Sequence, residues 1–237
     1  MIKKQKVLGI VPARSGSKGL KNKNILNFKG HPLLTWPLKA LKENKIIDKV
    51  LVSTDSIEYQ KIAIEYGAEA PFLRPKHISS SSATTIDVLE HAIKFYQKQN
   101  QYFEYIVMLE PTSPLTTSED ISNCLNLLHK KRKNADALIS VGKLIDSHPS
   151  FSIKIDKNSF MKPYVGFKKF RALRRQELED LYFLDGSIYI SKTETLLKKR
   201  SFHHERTIAK EMPKFKNIEI DSIEDFYIAE YLSKKFL

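Results

Sequence analysis

The chain has 237 residues, enough for one sizeable core, and its 41% hydrophobic and 28% charged residues exclude extended disorder. Its 40 Lys and Arg against 27 Asp and Glu leave a net charge of +13, which points to an anionic partner: nucleic acid, a membrane surface or a phosphorylated substrate. A single cysteine, Cys124, excludes an internal disulfide framework and a thiolate metal site, and the short apolar run cut by Pro12 and Arg14 excludes a signal-peptide core or a membrane span, so a cytoplasmic location is expected.

In chain order, short apolar runs alternate with helical patterns. Val7 to Val11 reads as a buried strand; Leu33, Leu34, Leu38 and Leu41 share one helix face; Val50 to Ser53 is a second strand and Ser56 to Tyr66 a second helix. Ile86, Leu89, Ile93 and Tyr96 form one stripe of a helix over Thr85 to Tyr96, followed by a strand at Tyr105 to Leu109. A helix with acids in its first turn covers Ser118 to Leu128 and holds Cys124 as a small buried hydrophobe; a strand follows at Ala137 to Val141. This βα repeat predicts an α/β fold with a mostly parallel sheet and helices on both faces.

Residues 147–184 break the pattern with Pro, aromatic and basic residues and short alternating runs such as Phe151 to Ile155, which predicts an inserted hairpin region. Regular patterning resumes with strands at Ser187 to Ile190 and Ile218 to Ile220 and a closing helix over Ile223 to Phe236, capped by Asp221 or Ser222. The basic run Lys130 to Lys133 closes a helix, where cations favour the negative dipole end. No helix-turn-helix, zinc-finger or aromatic-basic signature is present, and neither a nucleic-acid nor a membrane partner is expected.

In an open parallel sheet, ligands bind beyond the carboxyl ends of the strands. The residues in those positions are polar: Arg14 to Asn24, then Thr54 and Asp55, then Glu110 to Ser113, and finally Asp221. In the first of these stretches, Ser15, Gly16 and Ser17 form a small-residue turn whose backbone N–H groups can face an anion. Arg14, Lys18 and Lys23 supply the positive charge a polyphosphate needs. The run lacks G-x-x-x-x-G-K-[ST] and G-x-G-x-x-G, so it is neither a P-loop nor a dinucleotide turn. Among the carboxylates, Asp221 is the best placed for a hard cation, and Glu219 shares its strand face by the two-residue period; Asp225 starts a helix and reads as structural.

The run "IVPARSGSKGLKNKN" at Ile10 to Asn24 resembles the signature of the acylneuraminate cytidylyltransferase (CMP-sialic acid synthetase) family. "STD" at Ser53 to Asp55, "LRP" at Leu73 to Pro75, "LEPTSPL" at Leu109 to Leu115 and "HP" at His148 and Pro149 follow in the family's order. So do "RRQ" at Arg174 to Gln176, "FLDGSIYI" at Phe183 to Ile190 and "IEIDSIEDF" at Ile218 to Phe226. The ordered set covers nearly the whole chain.

The resemblance implies one domain over residues 1–237 with a Rossmann-like nucleotide-diphospho-sugar transferase sheet. It also implies a homodimer formed through the inserted region. The implied reaction joins CTP to a nine-carbon 2-keto sugar acid, releasing pyrophosphate with Mg²⁺. Ala13, Arg14, Ser15, Gly16, Ser17, Lys18, Lys23, Asn24, Arg74, Thr84 and Thr85 fall at the nucleotide, with Arg14, Lys18 and Lys23 as the catalytic cations. Glu110, Thr112, Ser113, Arg174, Arg175, Gln176 and Asp185 fall at the sugar, and Asp221 and Glu219 at the metal. Glu110, Thr116 and Asp185 stand where the family commonly has Gln, Arg and Asn, which bears on sugar choice, and Glu219 stands where it usually has a second Asp, which bears on direct metal coordination. The alternatives are a cytidylyltransferase for an eight-carbon acid, a CTP-binding relative without turnover, and a basic module for RNA or another anionic polymer.

Overall fold

The computed structural model describes residues 5–16, 19–80, 82–145, 148–164, 174, 176 and 178–236. It opens with β1 (Val7–Pro12), a short pairing of β2 (Asn27–Phe28) with β3 (His31–Pro32), α1 (Thr35–Lys42), β4 (Lys49–Ser53) and α2 (Ile57–Glu65). There follow α3 (Thr85–Gln97), β5 (Tyr105–Leu109), α4 (Ser118–Lys130), β6 (Ala137–Lys143), and a hairpin of β7 (Ile153–Ile155) and β8 (Met161–Pro163). The chain closes with β9 (Tyr182–Lys192), α5 (Thr193–Lys199), β10 (Thr207–Glu211) and α6 (Ile223–Phe236).

Six strands form one sheet in the order β10, β6, β9, β5, β1, β4, parallel throughout except for β9, which runs against both neighbours. The strands are apolar on both faces because helices cover both. In β1, Val7 and Val11 pack into a cluster with Leu38 and Leu41 of α1, Tyr59 of α2 and Ile121 and Leu125 of α4. Its alternate residues Leu8 and Ile10 face Leu89 and Ile93 of α3 and Leu196 of α5 on the other side. The two-residue alternation of one strand thus splits the core into two layers. A third cluster joins Phe28, Leu33 and Leu115 to Phe226 and Ala229 of α6. No helix among the described residues is long and apolar enough to cross a membrane.

Local chemistry sets the helix starts. Ser56 caps α2, Thr84 and Asp87 form a capping box on α3, and Thr117 and Asp120 form another on α4. At α6 the Ser222 hydroxyl accepts from the Asp225 N–H at 3.2 Å while the Asp225 carboxylate accepts from the Ser222 N–H at 2.8 Å, so Ser222 is the cap and Asp225 is engaged structurally. Cys124 is buried inside α4, and burial pushes its thiol up to about 12, which leaves it unreactive. Lys130 ends α4, as the helix-end reading of the basic run expects.

Two expected strands and one unanticipated helix need correction. Ile218 to Ile220 is not a strand: its tie to the core is one backbone bond, from the Ile220 N–H to the Thr112 carbonyl at 2.9 Å, and a single rung makes no ladder. The sheet instead ends at β10, whose half-exposed "TIAKE" lacks the apolar run that marks the other strands. Second, α5, short and without a side-chain cap, carries too little periodicity to stand out. Third, β9 begins at Tyr182, well before Ser187. Its first half pairs with β6 across an irregularity between Ile139 and Val141, which shifts the register and hides the alternation.

Candidate functional site

The carboxyl ends of β1, β4 and β5 converge, and the loops leaving them are tied together before any ligand is considered. After β1, the Ala13 N–H bonds the Ser53 carbonyl at 2.9 Å, carrying the pairing with β4 one residue further. The Ser15 N–H and hydroxyl both donate to Asp55, at 2.8 and 3.1 Å. Asn24 is buried, and its amide donates to the Arg14 carbonyl at 3.0 Å, which closes the loop on itself. Asn24 therefore shapes the loop through its amide. Arg14 is half-buried, Gly16 is exposed, and Ser17 and Lys18 lie outside the described residues.

Arg74 is the buried cation of this region. Its backbone N–H bonds the Thr54 carbonyl at 2.7 Å, which places it beside the end of β4. The guanidinium is buried, yet among the described residues Nε and Nη2 have no hydrogen-bond partner. Burial pulls its pKa below the ordinary arginine value, with Arg14 pressing the same way and Asp55 opposing. An unpaired buried donor carries a desolvation cost, so these two N–H groups are poised for acceptors that arrive with a ligand. Arg74 lines a cavity of about 250 Å³ whose walls also include Arg14, Thr84, Thr85 and Glu110. The Thr84 hydroxyl is engaged by the capping box, donating to Asp87 at 2.7 Å, whereas Thr85 stands exposed at the same wall.

Beside that cavity three carboxylates gather around one ammonium. Lys23 Nζ pairs with Asp221 Oδ1 at 2.7 Å, and the chain passes so close that a side chain on Gly19 would meet the Asp221 carbonyl at 2.9 Å. Thr112 donates to Glu219 at 3.3 Å. Burial, with Glu219 and Asp221 adding to it against Lys23, pushes the Glu110 carboxyl up to about 7. Burial and Asp221 likewise raise Glu219, while its Thr112 bond and Lys23 oppose the rise. The cluster is rich in hard oxygen donors and short of positive charge. Among the described residues no three His, Cys, Asp or Glu are grouped as a ready-made metal cage. Two carboxylates that depend on substrate phosphates to complete a coordination shell are, however, the usual way a protein holds Mg²⁺, and Asp221 and Glu219 fit that pattern.

The raised Glu110 has a stability consequence. Its folded pKa lies above the ordinary 4.5, so the folded state holds its proton more tightly, and stability present below pH 4.5 is lost as pH rises toward 7. Without nucleotide or divalent cation, Glu110→Gln is expected to be roughly 2–3 kcal/mol more stable than the unsubstituted protein at pH 8, the gain shrinking as pH falls toward 4.5. Urea unfolding at both ends of that range checks it. Equal stability of the two proteins at pH 8 would mean that Glu110 ionises freely.

Asp185 lies next to this cluster because β9 runs antiparallel to β5. It is buried, one oxygen bonded to the Ser140 hydroxyl and to the Ser187 N–H, the other without a partner, and burial raises its pKa. Ser140 sits at the irregularity of β6, where its hydroxyl also accepts from the Ile188 N–H at 2.8 Å in place of a ladder bond. Nothing in the sequence marks Ser140, since its role exists only once β6 and β9 pair. Gly186 has φ +70°, which favours glycine, and a side chain there would also press on the Glu219 carboxylate at 2.9 Å. The Ser113 hydroxyl is buried without a partner. Arg174 and Gln176 are exposed and lie away from the walls of the Arg74 cavity; Arg175 is outside the described residues.

A family model described as "Cytidylyltransferase" matches residues 8–235. The N-acylneuraminate cytidylyltransferase of Streptococcus agalactiae serotype V is 35% identical over 223 residues, 93% of this chain and 52% of that protein, so the chain spans about half that relative's length. The CMP-N,N'-diacetyllegionaminic acid synthase of Legionella pneumophila is 30% identical over 204 residues, 85% of this chain and 84% of that protein. Among solved structures, a CMP:2-keto-3-deoxy-manno-octonic acid synthetase complexed with CTP superimposes with a TM-score of 0.70 over 98% of this chain and all of that one; at 13% identity this shows a shared fold. A basic loop after the first strand, a buried arginine with unpaired donors and an acidic cluster at the strand ends thus sit on a sequence matched almost end to end, and the chain belongs to the cytidylyltransferase family.

Proposed function

We propose that the protein transfers CMP from CTP to the anomeric hydroxyl of a nine-carbon 2-keto sugar acid of the sialic type, releasing pyrophosphate. The observation that carries this reading is the buried Arg74, which lines a cavity between the basic loop and the acidic cluster and whose Nε–H and Nη2–H are unpaired among the described residues. A pyrimidine nucleotide offers the acceptors these donors lack.

In the reaction the anomeric oxygen attacks the α-phosphorus as the bond to the departing pyrophosphate breaks, and the protein's part is positioning and charge neutralisation. Arg14, Lys18 and Lys23 hold the triphosphate beside the small-residue turn of Ala13, Ser15, Gly16 and Ser17. Arg74, Thr85 and the loop shaped by Asn24 and Thr84 hold the nucleoside. Asp221 and Glu219 would hold Mg²⁺, which supplies charge neutralisation on the polyphosphate when bound. Arg174, Arg175 and Gln176 meet the sugar carboxylate, a guanidinium fork being matched to it. Thr112, Ser113, Glu110 and Asp185 meet its hydroxyl and acylamino groups. A carboxyl at Glu110 that is protonated near neutrality both donates and accepts, so it serves in part as an amide would.

Pyrophosphate release from CTP is the test, run in parallel with N-acetylneuraminic, legionaminic, pseudaminic and eight-carbon 2-keto acids. Turnover with a nine-carbon acid is the expected result. Turnover confined to the eight-carbon acid, or none with any acid despite CTP binding, would overturn the reading. The exposed apolar residues Ile153, Ile155, Phe160 and Met161 of the β7–β8 hairpin support a homodimer through this region. Light scattering at micromolar concentration is expected to give twice the chain mass, and a monomer would count against that interface.

A further inference from the structure

Around α1, two cavities of about 400 and 390 Å³ adjoin each other and share Lys29, Trp36, Lys39 and Glu43, the second also lined by Pro114, Thr116, Thr117 and Ser118 of the segment after β5. Together they form one groove divided by Trp36. The indole is held in place: its Nε1–H donates to the Phe28 carbonyl at 3.0 Å, and the Phe28 ring packs edge-on at 5.5 Å between centroids. His31 and Tyr66 extend the aromatic wall, locked together by a 2.8 Å hydrogen bond between Nδ1 and the phenol oxygen. Lys29 Nζ and Lys39 Nζ each stand 5.8 Å from the Trp36 ring centroid, and Lys42 lines the same lobe. Glu43 is the one carboxylate lining the groove among the described residues, and Lys29 Nζ also donates to the Ser233 carbonyl at 3.4 Å.

Three lysines around an aromatic wall exclude a cationic guest such as a methylated amine, which a cage of this kind would otherwise suit. An inorganic anion would use the lysines and leave the wall empty. The groove's size, its aromatic wall and its excess positive charge match a small ligand that joins a flat ring to a phosphate. We propose that this groove is an accessory binding site for a nucleoside monophosphate, with the base against Trp36 and Tyr66 and the phosphate between Lys39 and Lys42. It shares none of its lining residues with the Arg74 cavity and does not rest on the reaction proposed above.

Trp36 is the chain's single tryptophan, so its fluorescence reports the groove directly. The probe is CMP, titrated against the full chain, with cytidine, inorganic phosphate and a short oligocytidylate in parallel. Saturable quenching by CMP is expected. In Lys39→Ala/Lys42→Ala, whose side chains are exposed, binding should weaken roughly tenfold, the size expected for two charge-assisted contacts partly screened by solvent. Pyrophosphate release should be unchanged in that variant. The quench should persist in Arg74→Ala, which disables the other cavity. Quenching that disappears in Arg74→Ala, or that survives the double substitution intact, would place its source elsewhere and overturn the proposal. Equal affinity for inorganic phosphate would remove the aromatic half of the argument, and tighter binding of the oligonucleotide than of CMP would make the groove a nucleic-acid site; either result overturns it.

Discussion

Arg74→Ala is expected to lower kcat/KM for CTP by roughly 10²–10³-fold, the usual cost of removing a preorganised donor from an enclosed site. In the free protein the guanidinium is only partly compensated: two of its buried N–H groups have no partner among the described residues, and the attraction of Asp55 is offset by burial and by Arg14. Its value therefore lies in the bound state. Removing an unsatisfied buried charge relieves a desolvation cost that offsets the packing lost with the side chain, so the melting temperature is expected to hold while CTP affinity collapses. Arg74→Lys is expected to rescue little, because one ammonium cannot present the fork of a guanidinium. Steady-state kinetics with CTP varied, alongside thermal unfolding, separates the two effects. A loss smaller than tenfold would show that the cavity beside Arg74 does not hold the nucleotide.

Lys23→Ala should be comparably severe for a different reason. The Lys23 ammonium pairs with Asp221 and opposes the rise of both Glu110 and Glu219, so its removal leaves three neighbouring carboxyl groups without compensation. An incoming triphosphate then adds like charge to a site already short of positive charge. We expect kcat to fall by roughly 10²–10³-fold, with partial recovery in Lys23→Arg, which restores the charge with altered geometry. Loss of the ammonium lets the Glu110 and Glu219 carboxyl groups rise further, so the acidic limb of the pH profile, set by the carboxylates that would hold Mg²⁺, should move to higher pH. Near-normal turnover in Lys23→Ala would remove the acidic cluster from the reaction.

The stretches that could be recognised from sequence share one property: their signal is local. The apolar run of β1, the periodic stripes of α3 and α4, and the Ser222 and Asp225 start of α6 all follow from neighbours within a turn or a strand, and each stands within a residue or two of where it was expected; of the face expected for α1, Leu38 and Leu41 lie in the helix, while Leu33 and Leu34 precede it and Leu33 packs with Phe28 and Leu115 instead. The loop from Arg14 to Asn24 was equally visible, because charge packed around small residues directly after a buried run has few structural uses. Less visible were α5 and β10, which are short and half-exposed, so tertiary contacts rather than periodicity hold them. The expected strand at Ile218 to Ile220 failed for the converse reason: its alternating residues fit a strand, but the Ile220 N–H is drawn to the Thr112 carbonyl, outside the sheet, rather than to a strand edge.

The sequence by itself determined the α/β class, the two-sided helical cover, the family and the residue types available for anion binding, since each depends on order along the chain. Tertiary structure alone decided that Asp221 pairs with Lys23, that Glu110 is pushed to about 7 and that Ser140 secures Asp185. It alone left Arg74 buried with unpaired donors and drew Lys29, Lys39 and Lys42 around Trp36. Lys23 and Asp221 are 198 positions apart, and their attraction depends on distance in space and on the burial around them. Neither quantity exists until the sheet has brought its strand ends together.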